Sequence, residues 1–363
     1  MRVKDKKAYS AYEKEKRALL QRQKIKEAYN NKTWYTIRAV LGHQWWNWAF
    51  LIGARQRGKT YSVQEYVLKC FFNPNHRLYH VPFYWMRLND IAIKNMLMNN
   101  GAKMFEPLLV RQFGLEKLKV RGDSVFLPDG TLLCRVYGLS VAYNNKGAAM
   151  FDSKNWKGVN IILDECALEK GQKKTFDLAY NLQMNIENIC RNMRKNVKVF
   201  CMLNNTEEAP EILTAVAKFI PIEFGVYKLK RRHCIIDYIP NTVGYEKMRK
   251  EALATDIDAS NGNFTNKVAR DLQLLYKGRL GKPLYIVKYS KYQTDWFTVY
   301  EGNVVCPWNN EKKHSYAMKR YIDDTFLPEM RDNIIAQEDV RAFKYKDIYT
   351  QTLWRKNMEL IKK

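Results

Sequence analysis

Several things that hold other folds together are scarce in this chain. It has 363 residues and seven cysteines, an odd number with no CxxC pair among them. A zinc site or a disulfide framework is therefore not expected. Most of the cysteines sit among apolar neighbours and read as small core residues of a protein kept in a reducing compartment. The five histidines are scattered and form no HExxH or similar metal motif. No apolar run approaches the roughly 18 uncharged residues that a transmembrane helix needs. The opening MRVKDKKAYSAYEKEKRALLQRQKIK lacks the apolar stretch of a secretory signal, so none is expected. There is no internal repeat and no low-complexity tract.

Positive charge and apolar residues are plentiful. Hydrophobic residues make up 46% of the chain, which excludes a disordered polymer. The length exceeds one ordinary core and predicts two unequal domains. Lys and Arg outnumber Asp and Glu by 62 to 37, a formal net charge of +25. Such a surface attracts polyanions: nucleic acid first, an anionic membrane face second, with a merely solvated basic surface as the third reading.

Along the chain, residues 1–30 read as one basic helix, with Glu13 and Arg17 at helical spacing and a thin apolar stripe. A basic tail that orders only on binding is the alternative. From there the pattern alternates. The apolar run from Trp45 to Ile52 predicts a buried strand, Tyr61 to Phe72 a helix, and Leu78 to Leu88 a second strand. Val125 to Leu139 predicts a hairpin around Pro128-Asp129-Gly130. Val159 to Leu163 and Val197 to Leu203 predict further buried strands, separated by a helix within Lys173 to Met193. Strands alternating with helices imply an α/β fold with a parallel sheet. The basic stretch Tyr227 to Arg232 reads as a linker. Short strands follow at Cys234 to Ile239, Leu284 to Tyr289 and Trp296 to Val305, with helices over Tyr245 to Thr255, around Lys267 to Tyr276 and from about Asp347. The expected organisation is 1–30 basic helix, 31–222 nucleotide-binding domain, 223–235 linker and 236–363 C-terminal domain.

Gly53-Ala54-Arg55-Gln56-Arg57-Gly58-Lys59-Thr60 fits G-x-x-x-x-G-K-[ST]. Glycines let successive N–H groups curl around a phosphate chain, and the following helix presents its positive end there. Lys59 would reach the outer phosphates of ATP and Thr60 would offer its hydroxyl to Mg²⁺. A buried strand ends directly before Gly53 and a helix lacking Pro and Gly follows, which is the context the motif requires. The matching acid strand is Ile161-Ile162-Leu163-Asp164-Glu165. Asp164 would hold Mg²⁺ through water and Glu165 would polarise the attacking water. The alternative is an ordinary acidic loop start. The Asp-Glu pair predicts a P-loop NTPase of the additional-strand, catalytic-glutamate class, with Val197 to Leu203 between the glycine-loop strand and the acid strand. Asn204 would then sense the γ-phosphate, although a turn or cap role fits Asn204 and Asn205 as well. Arg191 and Arg194, at a helix end, are candidates to act in a neighbouring subunit's site or simply to favour the helix dipole. Lys146, in Asn144-Asn145-Lys146-Gly147, is a further trans-acting candidate.

The series is Gly53-Ala54-Arg55, Gly58-Lys59-Thr60, Met86-Arg87, Leu139-Ser140 with Lys146, Ile161 to Glu165, then Cys201 to Asn205. It resembles the DNA-packaging ATPases of small short-tailed phages of the Picovirinae type, over residues 40 to 225. That resemblance implies a homo-oligomeric ring, usually a pentamer, on the portal of an empty capsid in the host cytoplasm. The ring would use ATP and Mg²⁺ to pump double-stranded DNA, with a packaging RNA as a further partner and no membrane. It also implies a smaller C-terminal α+β domain, ribonuclease-H-like, whose nuclease site is degenerate. Asp237, Asp256, Asp258, Asp271 and Asp295 are the carboxylates a live site would draw on. The rival readings are another ATP-driven DNA translocase or helicase, a terminase with an active nuclease, and a basic adaptor that uses nucleotide as a structural switch.

Overall fold

The computed structural model describes residues 33–88, 90–140, 155–168, 176–204, 210–252, 272–288, 297–307, 319–322 and 328–361. They fall into two compact units, the first from the described residues of 33–212 and 221–252, the second from those of 213–220 and 272–361. The expected basic helix over 1–30 and Lys146 lie outside the described residues.

The first unit opens with a short helix α1 (Arg38–Leu41), then β1 (Trp48–Ile52), α2 (Lys59–Phe72), β2 (Phe83–Arg87), α3 (Asp90–Gly101) and α4 (Pro107–Phe113). A β-meander follows: β3 (Lys119–Arg121), β4 (Ser124–Phe126) and β5 (Leu132–Gly138). Next come β6 (Val159–Leu163), α5 (Leu178–Cys190), β7 (Val197–Leu203), α6 (Glu211–Ala217, of which Glu211 and Ile212 belong to this unit), β8 (Gly225–Leu229), β9 (Cys234–Tyr238) and α7 (Val243–Lys250). These strands make one nine-stranded sheet in the order β3-β4-β5-β2-β6-β7-β1-β9-β8. From β5 to β9 the neighbours run parallel, and the antiparallel strands β3, β4 and β8 close the edges. The central strands are buried on both faces, which is why they appear as continuous apolar runs rather than alternating ones. The expected position of β7 between β1 and β6 is what the sheet shows.

The linker reading of 223–235 is corrected by the sheet. Gly225–Leu229 is an edge strand, and Lys230–Arg232 is a tight turn into β9. β9 pairs in parallel with β1, Trp48 opposite Cys234 through Ile52 opposite Tyr238. The basic letters misled because β8 has exposed alternate positions, Val226 and Lys228, as an edge strand with one wet face does. Asp237 consequently belongs to the first unit and not to a C-terminal nuclease site.

The second unit holds β10 (Pro283–Lys288), β11 (Phe297–Tyr300), β12 (Val304–Pro307), β13 (Lys319–Ile322), α8 (Pro328–Asp339), β14 (Lys344–Tyr345) and α9 (Ile348–Ile361). Its five-stranded sheet has the order β13-β10-β11-β12-β14, mixed parallel and antiparallel. The single strand expected over Trp296 to Val305 is a hairpin, because Gly302 and Asn303 both take left-handed backbone and turn the chain. Leu272 to Tyr276 forms turns rather than the expected helix. Phe297, Phe343, Tyr345, Trp354 and Met358 form this unit's core. Among the described residues no helix is long and apolar enough to cross a membrane.

Candidate active site

All parallel strands of the large sheet point their carboxyl ends to one edge, where ligands bind in open α/β folds. The glycine loop leaves β1 at that edge. Gly53 donates its N–H to the Leu203 carbonyl at 3.2 Å, so the loop starts locked to the end of β7. A Cβ at Gly53 would lie 3.1 Å from Ile239 Cβ, closer than the packing there accommodates. Gln56 and Gly58 have φ of 55° and 87°, left-handed backbone that curls the loop before α2 begins. Gly58 is the position where glycine relieves the strain; Gln56 carries it.

Lys59 is buried, and its Nζ donates to the carbonyls of Gly53 and Ala54 at 2.8 Å each and to Asn204 Oδ1 at 3.2 Å. Burial pushes its pKa down to about 7, and the Arg55 and Arg57 charges add to that, against an opposing pull from Asp164. Thr60 donates its hydroxyl to Asp164 Oδ1 at 3.2 Å. The glycine loop, the acid strand and the end of β7 therefore converge, with Lys59, Thr60, Asp164 and Asn204 in direct contact. This donor set fits a polyphosphate with a hard divalent cation: a cationic loop, one hydroxyl and one buried carboxylate.

Glu165 adopts φ 57°, a left-handed conformation that a non-glycine residue holds at a cost. Its side chain is half exposed and faces Arg87, whose guanidinium lies 3.5 Å from Oε2 and 2.8 Å from Asp164 Oδ2. Arg87 thus bridges Asp164 and Glu165. In the sequence Arg87 stands at a strand end, in the motif series that carries the resemblance, but with no role assigned to it. It enters the site because β2 pairs with β6, Met86 opposite Leu163. A cleft of about 1380 Å³ opens here, lined among others by Trp34, Lys59, Thr60, Arg87, Glu165 and Asn204.

Arg191 and Arg194 are not in this site. They precede β7, and Arg194 exchanges hydrogen bonds with Asn47 just before β1 (3.1 and 3.0 Å). They therefore lie at the edge where the parallel strands start, a strand length from the glycine loop of the same chain, about 16 Å. Arg191 takes φ 50° at the end of α5 and is exposed.

The first unit is thus an α/β fold with a large, mostly parallel sheet, in which β7 lies between β1 and β6 and the glycine loop stands at the carboxyl edge. Solved structures of phage DNA-packaging motors share the fold over most of the chain. One solved structure, "The Phi-28 gp11 DNA packaging Motor", matches 91% of this chain and 98% of its own at 16% identity, with a TM-score of 0.57. Another, "The bacteriophage Phi-29 viral genome packaging motor assembly", matches 90% of this chain and 100% of its own at 16% identity, with a TM-score of 0.53. No family model matches the chain, and no curated protein matches it.

Proposed function

We propose that this protein is an ATP-hydrolysing motor that drives double-stranded viral DNA into a preformed capsid. The observation that carries the reading is the contact of Lys59, Thr60, Asp164 and Asn204 at the carboxyl edge of an additional-strand sheet, with Glu165 beside them. The likeness to two packaging motors over 91% and 90% of the chain supports the biological setting.

In this reading ATP enters the cleft, and the glycine loop from Gly53 to Thr60 takes its phosphates. The Lys59 amino group turns from the loop carbonyls to the outer phosphate oxygens, whose charge favours its protonated form. Mg²⁺, held by Thr60 and through water by Asp164, would neutralise charge on the phosphates. Glu165 accepts a proton from the attacking water, and Arg87 holds its carboxylate in place. Asn204 already bonds to Lys59, so it is placed to feel the loss of the γ-phosphate. Arg191 and Arg194 serve the next subunit, with Lys146 as a further candidate. Exposed cations at the far edge of the sheet suit a head-to-tail ring, in which that edge meets a neighbour's phosphates. The ring is a pentamer on the portal of a capsid in the host cytoplasm, and a packaging RNA is a further partner.

The second unit binds nucleic acid without cutting it. On its sheet, Lys344 of β14 is an exposed cation. Asp256, Asp258, Asp271 and Asp295 lie outside the described residues.

The decisive substitution is Glu165→Gln. It should retain ATP binding while lowering duplex-DNA-stimulated hydrolysis by about 10²- to 10⁴-fold. Unchanged turnover would rule out the motor mechanism, and stimulation by single-stranded but not duplex DNA would favour a helicase.

A further inference from the structure

The apex of the glycine loop is held from outside at two carbonyls, either side of the Gln56 carbonyl. The Arg55 carbonyl accepts a hydrogen bond from the Tyr245 hydroxyl at 2.8 Å. The Arg57 carbonyl accepts one from the Tyr35 N–H, also at 2.8 Å. A planar trans peptide sets its C=O and N–H on opposite sides. Anchoring the Arg55 carbonyl toward α7 therefore turns the Gln56 N–H away from that helix. The Tyr35 contact turns the Gly58 N–H in the same manner. Successive N–H groups oriented this way form the concavity that binds an anion.

The same helix secures the strained residue of the loop. Gln56 is the one non-glycine between Gly53 and Gly58 with left-handed backbone, and such a conformation persists only where its surroundings over-determine it. Its side-chain carbonyl accepts a hydrogen bond from the Arg249 guanidinium. Arg249 is 7% exposed and Tyr245 is fully buried, so neither is a casual surface contact. The Arg57 guanidinium, 1% exposed, lies 5.3 Å from the centre of the Tyr245 ring and also donates to the Thr33 carbonyl. Three consecutive loop residues, Arg55, Gln56 and Arg57, are thus each tied to Tyr245 or Arg249. Thr242 caps the helix through the Tyr245 N–H at 3.3 Å, which fixes the start of α7 and the direction of the Tyr245 side chain.

We propose that Tyr245 and Arg249 are positioning residues for the phosphate loop, holding its apex N–H groups in the polyphosphate-binding arrangement. The proposal rests on the ATPase reading for its ligand but concerns only phosphate binding. Positioned N–H groups contact phosphate in both ground and transition states, so their loss is uniform and raises KM without lowering kcat.

The test compares the full-length wild type with Tyr245→Phe, Arg249→Met and Arg249→Lys. It reads affinity for inorganic tripolyphosphate, affinity for adenosine, and steady-state ATP kinetics. Tyr245→Phe keeps the ring under Arg57 and should weaken tripolyphosphate binding about 2- to 13-fold. Arg249→Met loses a charge-assisted bond and should weaken it about 10- to 150-fold. Adenosine affinity should hold, KM for ATP should rise in step, kcat should stay within about twofold, and Arg249→Lys should recover part of the loss. Tripolyphosphate affinity equal to wild type in both Tyr245→Phe and Arg249→Met would overturn the proposal. Equal losses for adenosine and tripolyphosphate would overturn it too, by showing general damage. A wild type that binds tripolyphosphate but hydrolyses no ATP defeats the proposed activity and leaves the positioning claim standing on its own result. A wild type that binds no tripolyphosphate defeats both.

Discussion

Lys59 is surrounded by carbonyl oxygens yet packed out of reach of water, and burial dominates, lowering its pKa to about 7. A polyphosphate arriving beside it would favour the charged form and raise that pKa again. Near pH 8 the free protein holds Lys59 mostly neutral, so binding must draw in a proton. Affinity for tripolyphosphate should therefore fall as pH rises above about 7, by up to about tenfold per unit. Calorimetric titration at pH 8 in buffers of different ionisation enthalpy should register close to one proton taken up, and Lys59→Met should abolish that uptake. Equal heats in all buffers would contradict the account. The residues Gly53 to Thr60, Asp164, Glu165 and Asn204 were legible in sequence because each lies at the end of an apolar strand or in a local motif. Arg87 was not, because 77 residues separate it from Asp164 and only strand pairing joins them.

Among the elements, β9 shows how a strand can be recognised and still be misplaced. Its apolar run from Cys234 to Ile239 was plain, but its partner was not: it adds to β1 and so carries Asp237 beside the strand that launches the glycine loop. Asp237 is buried with a hydrogen bond from the Tyr35 hydroxyl at 2.8 Å. Burial raises its pKa to about 6, and the Tyr35 bond only partly offsets that. The folded state therefore keeps the Asp237 proton to a higher pH than the unfolded chain does. Stability from this group is full below about pH 4 and declines as pH rises to about 6, by about 3 kcal/mol. Asp237→Asn should remove that decline. Its melting temperature relative to wild type should rise between pH 4 and pH 7, and a constant difference across that range would refute the assignment. Elsewhere α2, β5, β6, α5 and β7 formed where apolar periodicity placed them, because each buries a face on the sheet that its own pattern defines.

For the whole molecule, a net charge of +25 allows nucleic acid, a membrane or plain solvation as its meaning. Under the proposed function, it reads as a grip on the DNA backbone that is blind to sequence. Such binding releases counterions, so duplex-DNA stimulation of ATP hydrolysis should fall steeply between about 50 and 200 mM salt, while unstimulated turnover changes little. Stimulation indifferent to salt over that range would detach the charge from DNA binding. By itself the sequence determined the α/β class and marked the candidate phosphate loop. A glycine loop between an apolar strand and a helix is a local pattern, as is an acid pair at a strand end, and both carry their geometry with them. Tertiary structure alone decided that 225–238 extends the first sheet, that Arg87 joins Asp164 and Glu165, and that Tyr35, Tyr245 and Arg249 close around the loop. Those contacts span long stretches of chain, and their partners are chosen by which strands and helices pack together, which no local pattern encodes.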